Sequence, residues 1–300
     1  MAKTELISRA EKRKKKIWGT VTFIAIIVFL IWTLTPLFIM VVSSFKDLRE
    51  AFQIPQLGDW KGVVQFFQFS PTGRHYKELF SGGTDFTPYI VNSVVASLSA
   101  SIIAVILGSL AAYGLARGRI PGEQHISFWI ISCRMAPVVA VMVPLYSIFS
   151  AIGLLEASRW RNLLCLILAY TTFSLPFAVW FLRSFFEDIP TELEEAARVD
   201  GCSDFKAFWD IILPLAKPGI VAAFILCLIL SWNDFIFASI FGQQAAKTLP
   251  VATAELHSTV DIQWGKILAS GTILCVPMLT LGLLIKKYLV QGLTMGAVRQ

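Results

Sequence analysis

ELEEAARVDGCSDFKAFWDIILPLAKP, residues 192–218, is an acidic interruption in an apolar chain. Eight carboxylates fall between Glu187 and Asp210, with a long apolar run on either side. Local signals write two short helices into this loop. Thr191 follows Pro190, and with Glu194 three positions on it has the spacing of a capping box, in which hydroxyl and carboxylate each satisfy an orphan N–H. The first helix then carries Glu192, Glu194 and Glu195 beside the positive end of its dipole, and Gly201 is its expected stop. Ser203 is placed to cap a second helix, on which Phe205, Phe208, Trp209 and Ile212 recur at i, i+3, i+4 and i+7 to form one aromatic face. Pro214 and Pro218 are expected to break that helix and lead into the next apolar run.

The composition around the loop is that of a membrane protein. Of 300 residues, 56% are hydrophobic and only 15% charged, with a mean hydropathy of +0.67. A soluble domain has about 45–50% apolar and about 25% charged residues. A bilayer core of about 30 Å needs roughly 20 mainly apolar residues per helix, since lipid offers the backbone no hydrogen-bond partner. Six stretches qualify, at about 17–42, 88–116, 126–150, 161–184, 218–241 and 267–287. The expected fold is an all-α integral membrane protein, one transmembrane domain over 1–300, with the acidic loop at 186–217 between helices four and five. The polar segment at 43–87, interrupted by Pro55, Gly58, Pro71, Gly82 and Gly83, is too short and loop-like for an independent domain. The first apolar run reaches Val42 with no A-x-A-like site after it, so it reads as an uncleaved helix and not a signal peptide.

Basic residues are retained on the cytoplasmic side. With the N-terminus inside, the inner segments hold sixteen of the twenty-six Lys and Arg residues and the outer segments nine, with Arg134 inside the third span. Both termini and the acidic loop are therefore expected in the cytoplasm. The net charge of +6 is mostly this topology signal, and it needs no nucleic acid to explain it. Five cysteines scattered at 133, 165, 202, 227 and 275, and three distant histidines, give neither a disulfide framework nor a metal or nucleophile constellation. No G-x-x-x-x-G-K-[ST] loop is present, so ATP binding by a P-loop is not expected of this chain.

Charges inside spans mark candidate transport paths. Arg134, about 12 Å into the third span at 1.5 Å per residue, either snorkels to the inner interface or serves as a pore or gate residue where Pro137 and Pro144 disturb the helix. Trp232, Asn233 and Asp234 combine an aromatic face with an amide and a carboxylate, which suits sugar hydroxyls; interfacial anchoring is the alternative. The aromatics of 52–86 suit either an outer interfacial segment or a docking surface shared with the 243–265 loop. Gly108 and Gly114 read as sites of close helix packing.

Two readings of the acidic loop compete. An amphipathic hairpin on the membrane surface is disfavoured, because anionic inner-leaflet lipid attracts basic segments. A docking knob fits better, with Ala196 and Ala197 leaving a bare face beside Glu195. Glu195-Ala196-Ala197, three residues, Gly201, nine residues, Ile211, one residue, then Leu213-Pro214 resembles the EAA-x3-G-x9-I-x-LP signature of the transmembrane subunits of bacterial ABC importers. The stretches at 92–117, 134–155, 231–238 and 289–300 look like the carbohydrate branch, and within it the maltose-type second permease. The chain departs from that pattern at Arg299-Gln300 and over 46–87.

The resemblance implies a non-catalytic permease in the bacterial inner membrane, paired with a second permease, seated on two ATPase subunits that hold ATP and Mg, and fed by an extracytoplasmic sugar-binding protein. It implies no cofactor in this chain. Carried over, Glu195 would meet a basic group of the ATPase, Ala196 and Ala197 would fit its cleft, Gly201 would permit the turn, and Asp200 beside it would cap that turn. Ile211, Leu213 and Pro214 would set the entry into the fifth span, and Gly292, Leu293, Thr294 and Gly296 of the tail would reach the ATPases. An ion-coupled secondary transporter is the competing class, but it wants buried carboxylates and usually an internal repeat, and here Asp234 stands alone. An intramembrane enzyme would want clustered His, Cys or acid pairs inside the spans, which the sequence lacks.

Overall fold

The computed structural model describes residues 2–47, 59–81, 85–118, 120–155, 158–257 and 263–296, with the side chains of 2–13, 63 and 287–296 left aside. Helix α1 (Ala2–Ser44) is followed by two short helices, α2 (Trp60–Phe67) and α3 (Arg74–Ser81), and then by the long α4 (Thr87–Arg117). A bent pair comes next, α5 (Glu123–Cys133) and α6 (Val138–Ala151), then α7 (Arg159–Glu187) and the acidic-loop helix α8 (Glu192–Val199). The chain continues through α9 (Asp204–Ala207), a π-helical turn at Phe208–Ile212 and α10 (Leu213–Trp232), and closes with α11 (Ile236–Phe241), α12 (Leu249–Glu255) and α13 (Trp264–Gly296). Among the described residues five helices are long and apolar enough to cross a bilayer, and the bent pair makes a sixth if counted as one span.

Helices α4 and α7 form the centre of the molecule. The buried stripe of α4 runs Ala96, Ser97, Ala100, Ser101, Ala104, Gly108, Ser109 and Ala112, small residues that let two backbones approach. Its hydroxyls are satisfied within the helix, Ser97 donating to the Ser93 carbonyl at 2.6 Å and Ser101 to that of Ser97 at 2.7 Å. A Cβ on Gly108 would stand 2.8 Å from that of Ala178 on α7, so the approach requires this glycine. Gly114 meets nothing within 4 Å, and packing is not its reason.

The third expected span, 126–150, is not one straight helix. It breaks at Arg134–Pro137, and its two halves meet at 88°. Proline disfavours helical geometry in the residue before it and has no N–H to continue the ladder. The fifth differs in the opposite sense. Pro214 and Pro218 do not break it, and the chain is helical from Asp204 to Trp232. The turn before Pro214 widens instead, so that the Leu213 N–H reaches the carbonyl of Phe208, five residues back. Widening relieves the clash of a proline ring with the carbonyl four residues earlier. At its far end this helix stops at Trp232, short of the expected 241, because the Asp234 carboxylate takes the N–H groups of Phe237 and Ala238 at 2.9 and 3.2 Å and starts α11.

Residues 242–249 form a strap folded into the core. Asn92 donates to the Lys247 carbonyl at 2.9 Å, Ser93 Oγ accepts the Leu249 N–H at 2.8 Å, and Asn162 donates to the Gly242 carbonyl. The 59–86 segment also folds back. His75 Nε2 is 3.0 Å from the Lys46 carbonyl, Tyr76 and Ser44 hydroxyls pair at 2.7 Å, and Leu79 and Phe86 are fully buried. Of its aromatics Phe66 and Phe86 are buried, Trp60, Phe67 and Phe80 are exposed, and Phe52 lies outside the described residues.

Candidate coupling and translocation sites

Helix α8 begins without the capping box. Thr191 has helical backbone angles and its hydroxyl caps nothing, while the Glu194 side chain is turned into the protein. There Glu194 meets the end of α4: Arg117 Nε at 2.6 Å on one carboxylate oxygen, the Tyr113 hydroxyl at 3.1 Å on the other. Arg117 also donates from Nη2 to the Ile189 carbonyl at 2.5 Å. Tyr113 itself lies between Phe186 and Phe208, 5.9 and 4.6 Å between ring centroids, one ring from each side of the acidic loop. A buried charge needs a partner and filled hydrogen-bond sites, and this one has both.

Helix α8 ends as the glycine predicts. Gly201 sits at φ +84°, its N–H reaches the Arg198 carbonyl at 3.0 Å, and Cys202 reaches that of Ala197 at 2.9 Å, a Schellman closure. Ser203 caps the following helix by accepting the Lys206 N–H at 3.3 Å, and Arg198 pairs with Asp204 at 2.6 Å across the turn. Glu195, Ala196 and Asp200 are exposed. Ala197 is buried against its own chain, so the bare face expected of the alanine pair belongs to Ala196 alone. The expected single aromatic face divides at the π turn: Phe208 and Ile212 are buried, Phe205 and Trp209 exposed. Ile211 and Leu213 are half-buried and Pro214 is exposed.

The two charges inside the spans meet at one place. Arg134 and Asp234 line a single cavity of about 130 Å³ with Tyr170, Ser174 and Ser231. The Arg134 guanidinium lies 4.7 Å over the Phe177 ring, and its buried Nη1 has no hydrogen-bond partner among the described atoms. The guanidinium is thus turned inward and does not snorkel. Trp232 and Asn233 do not join them. The Trp232 indole donates to the Leu274 carbonyl at 3.2 Å, and the Asn233 amide to its own helix at the Ile229 carbonyl. Gly292, Leu293, Thr294 and Gly296 continue the backbone of α13, and their side chains lie outside the described residues.

The model of the family described as "Binding-protein-dependent transport system inner membrane component" matches residues 104–295. The chain belongs to that family. This inner membrane component is 35% identical over 274 residues to the inner membrane ABC transporter permease protein YcjP of Escherichia coli, covering 90% of the chain and 93% of the relative. It is 38% identical over 231 residues to the trehalose transport system permease protein SugB of Mycobacterium tuberculosis, covering 76% and 82%. In fold it matches a chain of a bacterial ABC transporter that imports the acidic polysaccharide alginate, with a TM-score of 0.71 at 21% identity, over 92% of this chain and 98% of that one. As an inner membrane component it is a multi-pass permease subunit and not an enzyme. Sequence reasoning missed Tyr113 and Arg117 as parts of the loop's structure. Arg117 counted only as a topology charge, and no local signal ties it to Glu194, 77 residues away.

Proposed function

We propose that this chain is the permease subunit of an ATP-driven, binding-protein-dependent importer of a sugar or polyol. It forms the translocation path with a second permease, and α8 is the coupling helix that seats in the ATPase subunits. The observation that carries the reading is the division of α8: Glu194 and Ala197 are locked into the chain, while Glu195, Ala196 and Asp200 are presented outward. Such a helix transmits motion by packing, since a rigid element wedged in a cleft moves when the cleft closes. Glu195 then meets a basic group, Ala196 allows close approach, and the Gly201 turn with Ile211, Leu213 and Pro214 sets the angle into the fifth span. ATP and Mg belong to the partner ATPase. The names of relatives such as the trehalose permease SugB and a trehalose/maltose permease of Thermococcus litoralis support a sugar as cargo.

Helix α1 supports the pairing, because none of its most apolar stretch is buried within this chain. That side is open to lipid and to a second permease. The basic-residue count supports a cytoplasmic side for both termini. The tail residues Gly292, Leu293, Thr294 and Gly296 are then on the ATPase side, and the outer segments face the sugar-binding protein. The cavity holding Arg134 and Asp234 is part of the path. Its lining joins a guanidinium, a carboxylate and the hydroxyls of Tyr170, Ser174 and Ser231, polar chemistry that suits sugar hydroxyls.

The test is purification of the tagged chain from its own host in mild detergent. A second permease and a stoichiometric ATPase are expected to accompany it, and the ATPase to be lost in Glu195→Lys. A chain that purifies alone and still transports would support the ion-coupled class instead.

A further inference from the structure

We infer that Arg117, Glu194 and Tyr113 join the second span to the coupling helix as one rigid body, so that Arg117 and Glu194 are positioning residues of the transport cycle. The inference rests on the coupling reading of α8. Along the chain that helix is tied only to its flanking spans, α7 and the helix that begins at Asp204. Helix α4 has no such tie, yet its last turn grips both α8 and the turn that enters it. One guanidinium does this, with Nε on the Glu194 carboxylate and Nη2 on the Ile189 carbonyl. The ion pair is close to dry, its side chains 12% and 4% exposed. Separating such a pair strands two largely buried charges beside Tyr113, which packs on Phe186 and Phe208, so the joint resists opening while the loop is under load. The aromatic packing of Tyr113 between the two sides of the loop adds a second connection at the same place.

The neighbouring carboxylates therefore divide two tasks. Residues i and i+1 point to different sides of a helix. Glu194 faces inward to the spans and Glu195 outward. A displacement imposed on α8 reaches the fourth and fifth spans through covalent bonds and the second span through this joint. Since α4 also carries the stripe packed on α7, the centre of the fold follows α8 as a unit.

The test uses the intact complex purified with its ATPase, in a background where the five native cysteines are replaced and spin labels occupy Ala111→Cys on α4 and Glu192→Cys on α8. Distances are read without nucleotide and after trapping with ATP and vanadate. With Arg117 and Glu194 in place, one narrow distance population with the same centre in both states is expected. Arg117→Ala and the milder Glu194→Gln are expected to broaden it or shift it between states while ATP hydrolysis and ATPase co-purification persist. Arg117→Lys, which keeps the charge, is expected to restore the narrow population partly. A distance that shifts between states with the native pair present, or one that stays narrow in Arg117→Ala, overturns the joint. Loss of the ATPase on Glu195→Lys alone reads the coupling helix separately, so a failure there is distinguishable from a failure here.

Discussion

Glu194 and Glu195 occupy adjacent positions and have opposite environments, and this contrast sets what single residues reveal. Every local rule for α8 reads the first-turn acids as capping or solvated. Gly201 obeyed its rule because backbone geometry is local: φ +84° is costly for any residue with a Cβ. We expect Gly201→Val to cost about 1–2 kcal/mol, seen as a lower melting temperature of the purified complex. Glu194 did not follow its rule, because its partner Arg117 lies on another span, beyond any window of helical spacing. Glycines divide in the same way. Gly108→Leu should force α4 from α7 and destabilise by about 1–3 kcal/mol, whereas Gly114→Ala, with open space around it in a helix interior, should raise stability by about 0.5–1 kcal/mol. Equal melting temperatures for the two variants would contradict the close approach at Ala178.

At the scale of elements, hydropathy marks the long apolar helices, because the need for about 20 apolar residues is a demand of the bilayer and not of the fold. What it did not give is where a span bends. Pro137 and Pro214 look alike in sequence, yet the first accompanies an 88° break and the second is absorbed by a π turn. The difference lies in packing: Phe208 and Ile212 are held on both sides of the π turn by the core, whereas α5 has no buried residue of its own. The Arg134–Asp234 cavity follows from that break, and each charge was visible in the sequence while their meeting was not. Asp234 has a structural duty as the cap of α11, which separates its two possible losses. Asp234→Asn keeps an acceptor for the Phe237 and Ala238 N–H groups and should preserve stability, whereas Asp234→Ala should cost about 1 kcal/mol. If the charge belongs to the path, uptake falls in both variants; uptake that follows stability alone assigns Asp234 to the fold.

For the whole molecule, orientation and energy source are the properties to measure. Cys202, half-buried at the turn after α8, should escape a membrane-impermeant thiol reagent in intact cells and react in inverted vesicles. Labelling from outside would reverse the topology and remove α8 from the ATPase side. Uptake should stop when ATP is depleted and persist when the proton gradient collapses. The strap at 242–249 carries a further consequence, for the order in which the chain is made. Asn92 and Ser93 on the second span are satisfied by Lys247 and Leu249, more than 150 residues later. At about 5–20 residues per second, ribosomes leave the Asn92 amide N–H and the Ser93 hydroxyl waiting for the strap for about 8–30 s. A chain that ends before Lys247 therefore keeps the Arg159 contact to Asn92 Oδ1 but leaves the Asn92 amide N–H and the Ser93 hydroxyl without their strap partners, so the second span is completed only when the strap is made.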